Sequence, residues 1–128
     1  MNKELRLLNK KIIVTGGARG IGAGIVKRLY SEGAEIVIAD ILEKEAKELI
    51  KILDPEMKKI TFHKIDLSNE DNIISMFEFI KNKWSKLDIL INNAGIEDGF
   101  LLSDQSYEKY KKVMQINMDA PFLCSKYA

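Results

Sequence analysis

Apolar residues fall into two alternating patterns along this chain. Short continuous apolar runs, typical of strands buried on both faces, alternate with longer segments in which apolar residues recur every three or four positions, typical of helices. The predicted strands cover residues 11–15, 35–40, 59–65 and 87–91. Strands that alternate with helices of this length pair in parallel through helical crossovers. The pattern therefore predicts an α/β protein with a parallel sheet of about four strands.

The segments between the strands carry helical stripes and residues that end helices. The first helix is predicted over residues 20–32, and Gly33 ends it. The second runs from Leu42 to Leu53 and stops before Pro55. The third is predicted to begin at residues 68–71, which resemble a capping box with Ser68 as the cap. Residues 92–104 are predicted as a loop, and residues 106–128 as helical but interrupted around Asn117 and Pro121.

Composition narrows the classes of function. A chain of 128 residues can form one domain with a buried core, and its net charge of +1 gives no reason to expect nucleic acid or an anionic membrane as a partner. No apolar run is long enough to span a bilayer, and residues 1–6 lack the features of a secretory signal. Cys124 and His63 are each the sole residue of their type, so no disulfide framework or metal site is expected. These features predict a cytoplasmic globular domain.

A glycine-rich turn joins the first predicted strand to the first predicted helix. Its pattern, Thr-Gly-x-x-x-Gly-x-Gly, is formed by Thr15, Gly16, Gly20 and Gly22. Glycines let the backbone approach a ligand closely, and a helix N-terminus favours an anion, so the turn predicts a site for the pyrophosphate of a dinucleotide. A Walker loop is disfavoured because Ala23 stands where that loop needs lysine. A turn that merely packs, or a methyltransferase-like domain, is an alternative.

An acidic residue ends the second predicted strand. Asp40 lies 18 positions after Gly22, where a carboxylate can accept hydrogen bonds from both hydroxyls of an adenosine ribose. The same carboxylate would repel a 2′-phosphate, so NAD is favoured over NADP. Arg19 lies inside the glycine turn and can pair with a phosphate, which weakens that preference. The alternative for Asp40 is a solvated acid that caps the next helix.

Four segments, taken together, resemble the short-chain dehydrogenase/reductase family. Residues 15–22 resemble its cofactor loop, and Asp66-Leu67 resembles the acidic motif after its third strand. Asn92-Asn93-Ala94-Gly95 resembles the motif after its fourth strand, and Asn117 resembles its helix asparagine. The resemblance spans residues 10–128 in consistent order and spacing. It implies a Rossmann-type, doubly wound parallel sheet with strand order 3-2-1-4 and flanking helices.

The resemblance also implies roles for particular residues. The side chain of Asp66 meets the adenine amino group, and Asn117 belongs to the catalytic tetrad, where its main chain positions a water molecule. No metal is implied. The residues expected to bind the cofactor are Thr15, Gly16, Arg19, Gly20, Ile21, Gly22, Asp40, Asp66, Leu67, Asn93, Ala94 and Gly95.

The activity that the resemblance implies is hydride transfer between a nicotinamide and a carbonyl or alcohol carbon. Members of the family place a serine, a tyrosine and a lysine of the tetrad beyond the point that matches Ala128. Tyr107 and Lys111 have the tyrosine–lysine spacing but precede Asn117, so they are expected to be an exposed pair. Residues 1–128 are therefore expected to be the N-terminal part of a longer enzyme. Alone, this part would bind NAD weakly through its adenosine end without turnover; the alternative is a non-catalytic dinucleotide-binding module.

The predicted fourth strand has one unpaired edge if the sheet ends there. An open edge of apolar residues invites pairing with another chain, and the last helix resembles one used in subunit contacts of the family. A homo-oligomer is therefore expected. A small carbonyl or alcohol substrate is expected only in a full-length form.

Overall fold

A computed structural model describes residues 4–128, so the prediction about a secretory signal falls partly outside the described residues. Strands and helices alternate as far as the fourth strand, and short helical segments follow it. The elements are β1 (Lys11–Thr15), α1 (Gly20–Ser31), β2 (Glu35–Asp40), α2 (Glu43–Leu53), β3 (Ile60–Lys64), α3 (Glu70–Trp84), β4 (Ile89–Ile91), a 3₁₀ turn (Leu102–Asp104), α4 (Tyr107–Met114), a π-helical turn (Gln115–Asp119) and α5 (Ala120–Tyr127).

The four strands form one parallel sheet in the order β3-β2-β1-β4. This order confirms the predicted Rossmann-type topology. In register, Ile13 of β1 lies between Val37 of β2 and Leu90 of β4. Because all strands run the same way, the loops that follow them meet at one edge of the sheet, where ligands bind in folds of this type.

Helices cover both faces of the sheet. Side chains alternate along a strand, so Ile12 and Val14 pack under α1 and α2, while Ile13 packs under α3 and α5. All three side chains are fully buried. This two-sided burial explains why β1 and β2 are almost continuously apolar.

The third helix begins one residue later than predicted. Asn69, not Ser68, is the N-cap of α3, and its side-chain oxygen accepts a hydrogen bond from the amide of Asn72 at 3.2 Å. The Ser68 hydroxyl instead donates to Asp66 Oδ1 at 2.7 Å. The capping-box prediction at Ser68 is therefore wrong, because the neighbouring carboxylate engages the serine.

The fourth strand is shorter than predicted, since Leu87 and Asp88 lie outside it. The amide of Lys11 donates to Asp88 Oδ2 at 2.8 Å, so a side chain takes the place of a backbone partner at this end of the ladder. Predicted boundaries elsewhere differ by about one residue, as is usual at element ends.

The last helical segment contains the predicted interruption at Asn117. Residues Gln115–Asp119 form a π-helical turn between α4 and α5. Pro121 does not break the chain's helical path; it lies in the first turn of α5, where proline is tolerated. Proline has no amide to donate to the carbonyl of Asn117 four residues earlier, which favours a wider turn at this place.

Candidate functional site

The glycine turn after β1 is possible only because three of its residues lack side chains. Gly16 and Gly20 have left-handed φ angles of 64° and 57°. A Cβ on Gly22 would lie 2.0 Å from the carbonyl oxygen of Gly16, and one on Gly16 would lie 2.8 Å from Cα of Ala94. A Cβ on Gly20 would enter open space, with no heavy atom within 4 Å. The turn therefore folds tightly against the sheet and leaves its outer side open to a ligand.

Hydrogen bonds from the β4 loop hold this turn in place. Thr15 Oγ1 accepts the amides of Asn93 and Ala94, each at 3.0 Å. Asn93 Nδ2 in turn donates to the carbonyl oxygens of Thr15 and Gly16, each at 3.1 Å. These bonds tie the carboxyl ends of β1 and β4 into one rigid unit.

The N-terminus of α1 points into the space beside the turn. Arg19 is its N-cap, and no side chain caps the helix there. The first amides of a helix have no partner within the helix, and the aligned peptide dipoles give this end a partial positive charge. The exposed Arg19 side chain adds a full positive charge at the same end. The place therefore suits a phosphate group.

Asp40 faces the glycine turn from the end of β2. Its Oδ2 accepts the amide of Ala18 at 3.0 Å, and its Oδ1 accepts the amide of Leu42 at 3.1 Å. A carboxylate offers about four acceptor positions, so roughly two are left for further donors such as sugar hydroxyls. The Leu42 contact also fits the alternative of an acid next to a helix start, and both interpretations apply to the same side chain.

A cavity of about 500 Å³ runs along the carboxyl ends of the strands. Every residue predicted to bind a cofactor lines this cavity except Thr15, which lies behind the turn and supports it. The glycines of the turn, which have no Cβ, keep the cavity open beside the N-terminus of α1. An elongated ligand with an anionic centre therefore fits the arrangement.

The sequence prediction missed several residues that line the cavity. Most are apolar and adjoin a predicted residue in the chain, as Ile41 follows Asp40 and Ile65 precedes Asp66, so adjacency to a strand end was the available signal. Lys112 and Ile116 line the cavity from the helical segment and are four residues apart, which places them on one helix face. Only the fold shows that this face turns toward the strand ends.

Asp66 lies at the end of β3 and is held by its neighbour. The amide of Ser68 donates to Asp66 Oδ1 at 2.9 Å, and the Ser68 hydroxyl donates to the same atom. These bonds, supported by the charge of Lys112, lower the pKa of Asp66 below its ordinary value. Asp66 is therefore an ionised acceptor at neutral pH.

Asn117 lies beside the cavity rather than in its lining. Its Oδ1 accepts the amide of Ile96, and its Nδ2 donates to the carbonyl of Ile96, both at 2.8 Å. The side chain thereby fixes the loop after β4 to the π-helical turn. A Cβ on Gly95 would lie 3.5 Å from Asn117 Oδ1, an ordinary van der Waals distance, so the contact itself does not require glycine there.

Other reactive residue types have structural surroundings. Tyr107 is 72% exposed, with Lys111 Nζ 4.9 Å from its ring centre, which confirms the exposed pair. His63 lies on the edge strand β3 against the ring of Phe79, and burial lowers its pKa. Cys124 is buried, which raises the pKa of its thiol to about 11. Within residues 4–128 no cluster of metal ligands is present, and no helix is long and apolar enough to cross a membrane.

Comparisons with known proteins point to one family. A 3-oxoacyl-acyl-carrier-protein reductase of Chlamydia pneumoniae is 35% identical over 115 residues, which are 90% of this chain and 46% of that protein. A zerumbone synthase of Zingiber zerumbet is 33% identical over 97% of this chain and 47% of its own length. A short-chain dehydrogenase of Burkholderia cenocepacia, solved in complex with NADP, superposes with a TM-score of 0.89 at 29% identity, over 96% of this chain and 51% of that one.

The chain thus spans about half the length of the curated relatives it matches. Residues 10–128 match the short chain dehydrogenase family. The match includes the glycine turn, the strand ends and the helical segment that together surround the cavity. The chain therefore belongs to the short-chain dehydrogenase family of oxidoreductases.

Proposed function

We propose that this chain binds the adenosine and pyrophosphate portion of NAD and forms the N-terminal part of a dehydrogenase that acts on a carbonyl or alcohol group. The observation that carries the proposal is the single cavity along the strand ends, which the glycine turn, Asp40 and Asp66 share. Its parts follow the order of a dinucleotide: an anion site over β1, a sugar-binding acid over β2 and an apolar slot over β3.

The proposed roles follow from position in the cavity. The amides at the start of α1 would hold the pyrophosphate, with Arg19 as an added cation. Asp40 would accept from the ribose hydroxyls through the acceptor positions that Ala18 and Leu42 leave free. Leu67 and the strand-end isoleucines would enclose the base.

The preference for NAD over NADP is part of this proposal. Two unit charges at contact distance interact by several kcal/mol near a protein surface, so a 2′-phosphate beside Asp40 would be strongly disfavoured. Arg19 opposes this effect in part, and the solved relative from Burkholderia cenocepacia holds NADP. We propose that Asp40 prevails, because two amides fix its carboxylate toward the turn whereas Arg19 is exposed.

Bound nicotinamide would supply hydride transfer to or from a substrate carbon. We propose that Asn117 contributes to that chemistry by fixing the segment at Ile96 on the nicotinamide side of the cavity. We also propose that the serine, tyrosine and lysine needed for proton transfer come from outside residues 1–128. This chain alone would then bind the cofactor without turnover.

Calorimetric titration of the purified chain with NAD, NADP and ADP-ribose tests the proposal. We expect NAD and ADP-ribose to bind with similar affinity, because the nicotinamide end adds little here, and NADP to bind about tenfold more weakly. S-adenosylmethionine is the control ligand, since it has no diphosphate. A folded chain that binds none of the dinucleotides would refute the proposed function, and tighter binding of S-adenosylmethionine would favour the methyltransferase alternative.

The variant Asp40→Asn tests the cofactor preference separately. It keeps an oxygen acceptor for one of the two neighbouring amides, those of Ala18 and Leu42, and removes the charge. We expect its NADP affinity to rise to within about threefold of its NAD affinity. Glu97→Gln, an exposed charge change in the loop after β4, is the matched control and is expected to leave the ratio unchanged. An unchanged ratio in Asp40→Asn would remove Asp40 as the determinant.

A further inference from the structure

Lys112 is a positively charged residue that lines the cavity but belongs neither to the glycine turn nor to the motifs at the strand ends. It lies on α4, one helical turn before Ile116, and both residues line the same cavity as Asp66 and Leu67. Its side chain is exposed to that space. Within residues 4–128 the Lys112 side chain makes no hydrogen bond or ion pair, whereas the side chains of the neighbouring Lys109 and Lys111 each lie over an aromatic ring.

The charge of Lys112 acts on Asp66, which follows β3, so this lysine lies at the end of the cavity that would receive the base. The anion site is at β1, the acid that suits the ribose is at the adjacent β2, and β3 follows on the same side. A nucleoside that continues in this direction brings its base over the end of β3. There Ile65 and Leu67 are buried apolar residues, and Asp66 and Lys112 are the charged ones.

Asp66 and Lys112 offer complementary hydrogen-bonding groups at this end. Asp66 Oδ1 is engaged by Ser68, and Oδ2 makes no hydrogen bond with any residue in the described part of the chain. Lys112 has three N–H donors and no acceptor. Adenine presents an amino donor next to a ring-nitrogen acceptor along one edge, which matches an acceptor and a donor in that order.

Building on the proposed function, we propose that Lys112 is a specificity-determining residue, which donates to a ring nitrogen of adenine beside the amino group that Asp66 accepts from. Ile65 and Leu67 would pack against the faces of the base. Asp66 and Lys112 would recognise the hydrogen-bonding groups along its edge. A base with a carbonyl in place of the amino group would put an acceptor against the Asp66 carboxylate and could not reach Lys112 in the same pose.

Binding of NAD and of nicotinamide hypoxanthine dinucleotide to the purified chain tests this inference. The two ligands carry the same charge, so long-range attraction to a lysine is equal for both. We expect the wild-type chain to prefer NAD about tenfold. We expect Lys112→Met to lower NAD affinity about fivefold and to lower the affinity for the analogue by less, so that the preference narrows. Lys112→Arg, which keeps a charged donor, should retain most of the preference.

Lys111→Met is the matched control, because it removes the same charge from the preceding residue of α4, which does not line the cavity. Equal losses for the two ligands in Lys112→Met, or a loss no greater than in Lys111→Met, would overturn the role of Lys112 while leaving the proposed function intact. Absence of NAD binding to the wild-type chain would instead overturn the proposed function and this inference together. Circular dichroism of each variant confirms that the fold is retained.

Discussion

Gly22 shows how one missing side chain supports both the fold and the site. An added Cβ would lie 2.0 Å from the carbonyl oxygen of Gly16, which belongs to the turn that Asn93 fixes to β4. The turn cannot shift without losing those hydrogen bonds. Gly22 is therefore required because α1 packs closely against the turn. Gly20, which has no heavy atom near its Cβ position, is the glycine that leaves room for a ligand.

We expect Gly22→Ala to lower the free energy of unfolding by about 3 kcal/mol and to weaken ADP-ribose binding, because overpacking displaces the turn. Gly24→Ala is the matched control on the same helix, since nothing lies within 4 Å of its added Cβ. That variant should gain up to about 1 kcal/mol from higher helix propensity. Urea unfolding of both variants measures the difference, and equal stabilities would contradict the packing argument.

Asp54 stabilises the start of β3 through its buried carboxylate. Its Oδ2 accepts the amides of Lys59 and Ile60 at 2.7 and 2.8 Å, and the residue is 4% exposed. Burial alone would raise the pKa of Asp54, but these hydrogen bonds outweigh it, and the net pKa is lowered. A lowered pKa means that the stabilisation is present above the unfolded-state value near 3.9 and is lost as the pH falls through the folded-state value.

We therefore expect Asp54→Asn to cost about 1–2 kcal/mol of unfolding free energy at neutral pH, because the amides lose a charged acceptor. The difference from the wild type should shrink as the pH falls below about 4. Urea titrations across this pH range measure it, with Glu97→Gln as an exposed control. A cost that stays constant with pH would show that the carboxylate charge contributes nothing.

At the scale of elements, the loop after β4 is positioned by the π-helical turn. Asn117 makes two hydrogen bonds of 2.8 Å to the backbone of Ile96, and these connect the irregular turn to the loop of residues 96–105. Backbone groups in exposed loops exchange their hydrogens quickly unless such bonds restrain them. The irregularity in the helix thus fixes the loop beside the cavity.

We expect Asn117→Ala to raise the rate of hydrogen exchange over residues 96–105 at least severalfold while leaving β1 and β2 unchanged. Asn92→Ala is the matched control, because Asn92 donates to Ser125 and makes no bond to Ile96. Mass spectrometry of peptides after exchange resolves the two regions. Unchanged protection of the loop in Asn117→Ala would show that other contacts hold it.

The pattern of apolar residues was sufficient to predict the helices and strands along the chain, because β1 and β2 are buried on both faces and α1, α2 and α3 each bury one face. The order of the strands in the sheet followed from the family resemblance. The pattern could not locate Asp88 as a side-chain partner of Lys11, because that contact joins residues 77 positions apart. It could not locate Ser68 as a partner of Asp66 either, because periodicity does not record local competition for a hydroxyl group. It also missed Lys112, whose place in the cavity depends on how α4 docks across the strand ends. Cavity residues that adjoin a recognised motif could be predicted from the sequence. Cavity residues that helix packing brings to the strand ends could not.

At the scale of the molecule, β4 leaves one edge of the sheet unpaired, and the adjacent helical segment exposes apolar side chains. Met118 is 60% exposed and Phe122 is 67% exposed. Surfaces of this kind favour association with another chain. Self-association of this chain therefore remains a prediction, with the helical segment as its expected contact.

We expect Phe122→Glu to reduce self-association of the purified chain in sedimentation velocity across a concentration series, because it places a charge in the apolar contact. Ile52→Glu is the matched control: Ile52 is 78% exposed on α2, which packs on the β3 side of the sheet, away from β4. A wild-type chain that stays monomeric at every concentration would contradict the prediction. Equal effects of both substitutions would place the contact elsewhere.

The burial of Cys124 has a practical consequence for following the motions of this molecule. The thiol is 1% exposed and its pKa is about 11, so almost none of it is in the reactive thiolate form while α5 is docked. Modification by a chromogenic disulfide must then wait for α5 to open. The labelling rate in dilute denaturant would report the free energy of that opening directly, with a native cysteine and no engineered probe.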